Sequence, residues 1–165
     1  MKQKVTTLTF STALTVDLNF PYLYILFKQH YNTFGKYPKK YEWVDPEYIS
    51  QSVDPSIVVD WLVENDIDIV FGSMYLWNYS YTHNILKLFK ERKPKATVVI
   101  GGPHVFPDDP NFFNEYHWVD LVCDVKIYGE AFVTDFLDGN PIEDVVGAIW
   151  NGGRSNKVFD IRSFK

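Results

Sequence analysis

Residues Ile67–His104 read IDIVFGSMYLWNYSYTHNILKLFKERKPKATVVIGGPH, and their pattern decides the fold. Ile67–Phe71 is apolar enough to be a strand covered on both faces, as the strands of parallel sheets are. From about Ser80, Ile85, Leu88 and Phe89 recur at the spacing of one helix face, and Pro94 stops that helix. Thr97–Ile100 is a second apolar strand, ended by Gly101-Gly102-Pro103. Strand, helix and strand in this order make one βαβ unit.

The same alternation extends in both directions. Toward the N-terminus, Asp54-Pro55 is a cap followed by a proline at the first helical position. Ile57, Val58, Trp61 and Leu62 follow as an apolar stripe. Val5–Phe10 reads as a first strand, Ser11–Phe20 as a loop, and Pro21 as a helix start with Leu23, Leu26, Phe27 and His30 on one face. Asn32–Lys40 is a turn region, and Tyr41, Trp43 and Val44 suggest a short second strand. Toward the C-terminus, Asp109-Pro110 opens a short helix carrying Phe112 and Phe113. A fifth strand lies within Leu121–Ile127, and Phe132, Phe136 and Leu137 ride on a helix closed by Gly139. The predicted fold class is α/β: a Rossmann-like, flavodoxin-like open sheet, five-stranded and mainly parallel, with helices on both faces. Val145–Trp150, the turn at Asn151-Gly152-Gly153 and Lys157–Phe159 read as an added edge hairpin. One domain over residues 1–165, with 143–160 as its closing hairpin, is the expected organisation; no internal repeat or low-complexity segment interrupts it.

Composition narrows the function. The chain has 165 residues, of which 46% are hydrophobic and 22% charged, a globular balance. Aromatics reach 18%, which favours a site lined by flat rings, although an aromatic core accounts for them equally. A formal net charge of −5 argues against nucleic acid as the partner, because phosphate binding needs clustered Lys and Arg. No apolar run reaches membrane-spanning length and no signal-peptide pattern opens the chain, so the cytoplasm is the expected compartment. Cys123 is the single cysteine, which leaves no internal disulfide, no cysteine zinc site and no iron–sulfur cluster held by this chain. Flanked by strand residues, it reads as a small buried hydrophobe.

Ligands of open parallel sheets lie beyond the carboxyl ends of the strands, at the point where strand order reverses. Three loops belong there: Gly72-Ser73-Met74-Tyr75-Leu76-Trp77-Asn78, Gly101-Gly102-Pro103-His104, and Tyr128-Gly129-Glu130-Ala131. Taken singly each is ordinary, since paired glycines permit tight turns and Ser73 or Asn78 would serve as helix caps. Gathered at one end of one sheet, they make a binding site in which glycines admit a large flat ligand and Ser, Asn and backbone amides bond its rim. The candidate cofactor-binding residues are Ser73, Met74, Tyr75, Leu76, Trp77, Asn78, Gly101, Gly102, Pro103, His104, Gly129 and Glu130. No catalytic residue and no protein metal ligand is assigned.

Three segments also carry a family resemblance. Asp68–Asn78 resembles the third-strand signature of the B12 (cobalamin)-binding domains of the cobalamin-dependent radical SAM enzyme class. Val98–His104 is similar to their Gly-Gly-Pro segment, and Asp124–Glu130 to their strand ending in Gly-Glu. Gly147–Trp150 and the turn after it resemble the hairpin that closes such domains. The resemblance spans Ile67–Phe159. Ala131 and Phe132 depart from it where the family often repeats Gly-Glu, and Ser11–Phe20 lacks the family's Pro- and Gly-rich opening. The Asp-x-His-x-x-Gly motif of carrier-type B12 proteins is missing as well. The resemblance therefore implies cobalamin held base-off with no histidine from the protein on cobalt, His104 being a polar contact and His83 a surface or cap residue. It further implies a radical SAM catalytic domain or separate partner protein, which would supply the Cys-x-x-x-Cys-x-x-Cys cluster and carry out methyl transfer or a radical rearrangement. The chain is then not catalytic alone, and residues 161–165 read as a linker toward that domain.

Two other readings keep the fold and change the function. A flavodoxin-like flavin binder would use Tyr75 and Trp77 as stacking rings but lacks a phosphate loop after the first strand. A receiver-like or scaffolding domain with an empty pocket would need acidic residues after that strand, where Asp17 stands alone. A self-sufficient hydrolase finds no nucleophile–base pair in any one loop.

Overall fold

The computed structural model describes residues 2–11, 22–48, 50–124 and 129–157. Seven strands form one sheet in the order β2-β1-β3-β4-β5-β6-β7. They are β1 (Gln3–Leu8), β2 (Tyr41–Trp43), β3 (Ile69–Ser73), β4 (Thr97–Gly101), β5 (Leu121–Cys123), β6 (Ala148–Trp150) and β7 (Gly153–Arg154). The first five pair in parallel, and β6 and β7 continue the sheet antiparallel. Five parallel strands and an edge hairpin were expected, and together they make this sheet.

Side chains alternate across the strands, so the sheet has two cores. On one face Val5, Ile69, Phe71, Val99 and Leu121 pack under helices α1 (Tyr22–Phe34) and α5 (Gly129–Leu137), meeting Phe27, Tyr31, Phe132 and Leu137. On the other, Leu8, Val70, Val98, Ile100 and Val122 pack under α2 (Pro55–Glu64) and α3 (Tyr79–Arg92), meeting Val58, Leu62, Ile85, Leu86 and Phe89. The short helix α4 (Phe112–Glu115) adds Phe112 to this second core. Helix α2 starts as its sequence dictates: the Asp54 carboxylate accepts from Ser56 N at 2.8 Å and Pro55 takes the first helical position.

Several boundaries move. Strands β3 and β4 run on to Ser73 and Gly101, because Gly72 pairs with Ile100 and Ser73 with Gly101. The stripes on α2 and α3 are rotated by a residue: Ile57 and Leu88 are exposed, while Val59 and Leu86 are buried. The hairpin returns at Gly153, directly after Asn151-Gly152, and Lys157 is not in a strand. Register at Trp150↔Gly153 demands this two-residue connection, so the hairpin occupies 148–154 and a 3-10 turn at Ile142–Asp144 precedes it. The expectations for residues 12–21, for Val125–Tyr128 and for 158–165 (loop, helix start, end of the fifth strand, linker) lie outside the described residues. Among the described residues no helix is long and apolar enough to cross a membrane.

Candidate functional site

The carboxyl ends of β1, β3, β4 and β5 enclose a cavity of about 250 Å³ on the α1/α5 face. Its floor is built from alternate strand positions: Thr7 of β1, Phe71 and Ser73 of β3, Val99 and Gly101 of β4, and Cys123 of β5. Four of these positions, Thr7, Ser73, Gly101 and Cys123, carry small side chains where the same-face positions two residues earlier, Val5, Phe71, Val99 and Leu121, carry larger ones. The space exists for that reason. Leu23 and Phe27 of α1 and Gly129, Glu130, Phe132 and Val133 of α5 form the walls, while Tyr75, Gly102, Pro103 and Asp124 stand at the rim.

The expected site residues divide into groups. Ser73, Tyr75, Gly101, Gly102, Pro103, Gly129 and Glu130 line the cavity. Leu76 and Trp77 do not; they are exposed beside it, Trp77 stacked on Tyr75 with ring centroids 4.6 Å apart. Met74 points away from it, fully buried in the α2/α3 core. His104 lies on that second side too, edge-on to Tyr79 at 4.9 Å and lining a smaller cavity of about 110 Å³ with Tyr79, Phe106 and Tyr116.

Asn78 is fully buried and neither faces the cavity nor caps α3 through its side chain. Its Oδ1 accepts from Tyr75 N at 2.8 Å, and its Nδ2 donates to Ser73 O at 3.1 Å and Phe10 O at 3.3 Å. It ties the end of β1 to the loop after β3. The backbone does the same between β3 and β4: Met74 N donates to Gly101 O at 2.8 Å and His104 N to Met74 O at 3.3 Å. Gly102 sits inside this zipper at φ +112°, and a Cβ there would lie 2.4 Å from Met74 O. The glycine is therefore required by the turn itself, before any ligand is considered.

Sequence reasoning missed Thr7, Leu23, Phe27, Phe71, Val99, Phe132 and Val133, which read simply as core. It also took Cys123 for core, whereas the thiol is on the cavity floor. Burial pushes that thiol up to about 12, with the Asp124 and Glu130 charges adding to the shift. Such a group is a neutral wall, not a nucleophile. His30 on α1 pairs through Nδ1 with Thr134 Oγ1 of α5 at 2.9 Å. Burial lowers its pKa while the Glu130 charge opposes the shift. Thr7 is buried, and its Oγ1 finds no hydrogen-bond partner among the described residues. Among the described residues no group of three or more His, Cys, Asp or Glu is gathered as for a metal ion.

No family model matches the chain. It is 39% identical over 84 residues to the cobalamin-dependent radical SAM methyltransferase TokK of Streptomyces tokunonensis, a match covering 50% of this chain. It is 37% identical, also over 84 residues, to the 2-(S-pantetheinyl)-carbapenam-3-carboxylate methyltransferase of Streptantibioticus cattleyicolor, covering 47% of this chain. The matched stretch is 12% of the length of either relative. Among solved structures, the apo form of the cobalamin-dependent S-adenosylmethionine radical enzyme OxsB superposes with a TM-score of 0.60 at 17% identity, over 95% of this chain and 23% of that one. A response regulator from Thermotoga maritima gives 0.55 at 11% identity, over 84% and 97%. These two likenesses establish the flavodoxin-like fold, and the sequence matches bear out the resemblance to the B12-binding domain of the cobalamin-dependent radical SAM class.

Proposed function

We propose that the chain is the cobalamin-holding module of a cobalamin-dependent radical SAM enzyme, taking the cofactor base-off. The observation that carries this reading is the cavity at the carboxyl ends of the strands. At about 250 Å³ it falls below the roughly 300–1,000 Å³ of a site for a whole drug-sized ligand. It suits one flat heterocycle, which is what a displaced nucleotide base would present. The corrin would then lie outside, over Tyr75, Trp77, Gly102 and Pro103.

The residues present fit that role. Phe27, Phe71, Val99 and Phe132 exclude water from the base, and the Gly101-Gly102 turn keeps the rim low. Cys123, held as a thiol, adds no charge to an apolar wall. His104 is engaged with Tyr79 and Phe106 on the other side of the β3–β4 zipper, which supports cobalt without a histidine from this chain. Bound cobalamin would supply a cobalt-centred carrier of the transferred group. Cluster and S-adenosylmethionine chemistry belong to a partner domain or protein reached through residues 161–165, since one cysteine does not anchor a cluster.

The test is retention of hydroxocobalamin by the chain on gel filtration, followed by reduction to cob(II)alamin. The expected spectrum is base-off and unchanged in His104→Ala. Failure to retain the cofactor would overturn the reading, and a flavin titration would then examine the flavodoxin alternative. A nitrogen superhyperfine pattern in the paramagnetic resonance spectrum, lost in His104→Ala, would place that histidine on cobalt instead.

A further inference from the structure

The smaller cavity, of about 110 Å³, lies across the β3–β4 zipper from the larger one, and its inner end is the α2/α3 core. Its walls are rings: Tyr79 of α3, His104 and Phe106 of the loop after β4, and Tyr116 at the end of α4. Adjacent rings meet at steep angles, 79° between Tyr79 and His104 and 71° between His104 and Phe106, so they stand as differently facing walls. Behind them His83 is set edge-on to Tyr116 at 5.6 Å and to Trp118 at 5.1 Å, which braces the cluster. Asp109 and Glu115 complete the lining, and no lysine or arginine joins them. Neither carboxylate is ion-paired among the described residues. Arg154, which reaches the same loop, pairs with Asp108 instead.

Aromatic faces carry partial negative charge and attract cations, most strongly where water is displaced. Two uncompensated carboxylates beside such rings favour the same sign of ligand. Tyr79 and Tyr116 join hydroxyl to hydroxyl, and Asp109 Oδ1 accepts from Asn111 N at 2.9 Å. A primary ammonium entering among rings would leave N–H donors unbonded, whereas a quaternary ammonium has none to lose. Size agrees. Liquid water takes about 30 Å³ per molecule, so the cavity has room for about four waters or one such head group. We propose that this cavity binds a quaternary ammonium group, held among Tyr79, His104, Phe106 and Tyr116 and balanced in charge by Asp109 and Glu115. Being on the other face of the sheet, the site is independent of the cobalamin reading.

The isotope-labelled chain is titrated by NMR at pH 8 and constant ionic strength with three probes. They are choline, an N-acetylated trimethyl-lysine amide, and the neutral isostere in which carbon replaces the choline nitrogen. The reporter is the indole N–H of Trp118, which is buried, has no partner among the described residues and lies beside His83 and Tyr116. Both cations should saturate the shift, choline with a dissociation constant on the order of 1 mM. The tighter of the two identifies the source, a free small molecule or a side chain of a partner protein. The neutral isostere should bind at least about tenfold more weakly than choline.

Phe106, Asp109 and Glu115 are exposed, so their variants should fold as the parent does. Phe106→Ala should weaken choline about threefold or more, and Asp109→Asn combined with Glu115→Gln roughly fivefold. Tyr37→Ala removes an exposed ring outside the cavity and should change nothing. The absence of a saturable shift with either cation, or equal affinity for the neutral isostere, would overturn the assignment. Parent-like choline binding in Phe106→Ala or in the carboxylate variant would also overturn it, as would a matching loss in Tyr37→Ala.

Discussion

The ends of the same strands are packed in opposite ways on their two faces. Toward α1 and α5, Thr7, Ser73, Gly101 and Cys123 leave a cavity. Toward α2 and α3, Leu8, Met74, Ile100 and Val122 are larger and leave a smaller space, the cavity of about 110 Å³ beside His104, and Gly72 is covered, Leu86 Cδ1 lying 2.5 Å from where its Cβ would be. Both faces share one backbone, one set of hydrogen bonds and one twist. The difference lies in side-chain volume at alternate positions, and it teaches that the site was made by omission on one face while the other holds the strands in place. A close-packed interior transmits even a methylene's change, so the filled face supplies the rigidity the open face lacks.

The sharpest way to break this comparison is at the zipper joining the two faces. Gly102→Val forces a β-branched residue to φ +112° and drives its Cβ into Met74 O. We expect a loss of about 3 kcal/mol or more in denaturant unfolding, so that any loss of cobalamin follows from loss of fold. Unfolding at the parent midpoint would show that the β3–β4 turn is not the constraint described.

A smaller effect on stability, and a larger one on binding alone, is expected from filling the cavity. Cys123→Phe puts a ring over the floor beside Gly101. Cobalamin affinity should fall about 100-fold, as overpacking at roughly 1–3 kcal/mol would give, with circular dichroism unchanged. Cobalamin bound at full affinity by that variant would move the site to another part of the molecule.

The smallest effect is chemical and sharpens the picture of the open face. With its pKa raised to about 12, Cys123 carries thiolate in only about one molecule in ten thousand at pH 8. Alkylation by iodoacetamide should be slow there, should accelerate as pH rises toward 12, and should be slower still with cobalamin bound. The sign for stability follows: the folded pKa lies above the ordinary 9.0, so this thiol's contribution is intact below pH 9 and is lost between pH 9 and 12. Rapid labelling at pH 8 would contradict a buried, neutral wall.

The sequence by itself determined the alternation of strands and helices, the cap at Asp54-Pro55 and the clustering of three loops at one end of the sheet. These follow from local periodicity and from turn chemistry carried by a few adjacent residues. It was silent on which loop residues face the cavity. Period-two alternation says that Thr7 and Leu8 point opposite ways, but not which side α1 and α5 will cover. Asn78 read as a cap or a ligand contact until its amide met Phe10 O, 68 residues away. Ser73 read as loop until it paired with Gly101. Thr7 read as an ordinary strand residue until helices from both ends of the chain closed over it and made it part of the cavity floor. Tertiary structure alone decided these points, because each depends on a contact between segments that sequence spacing does not relate.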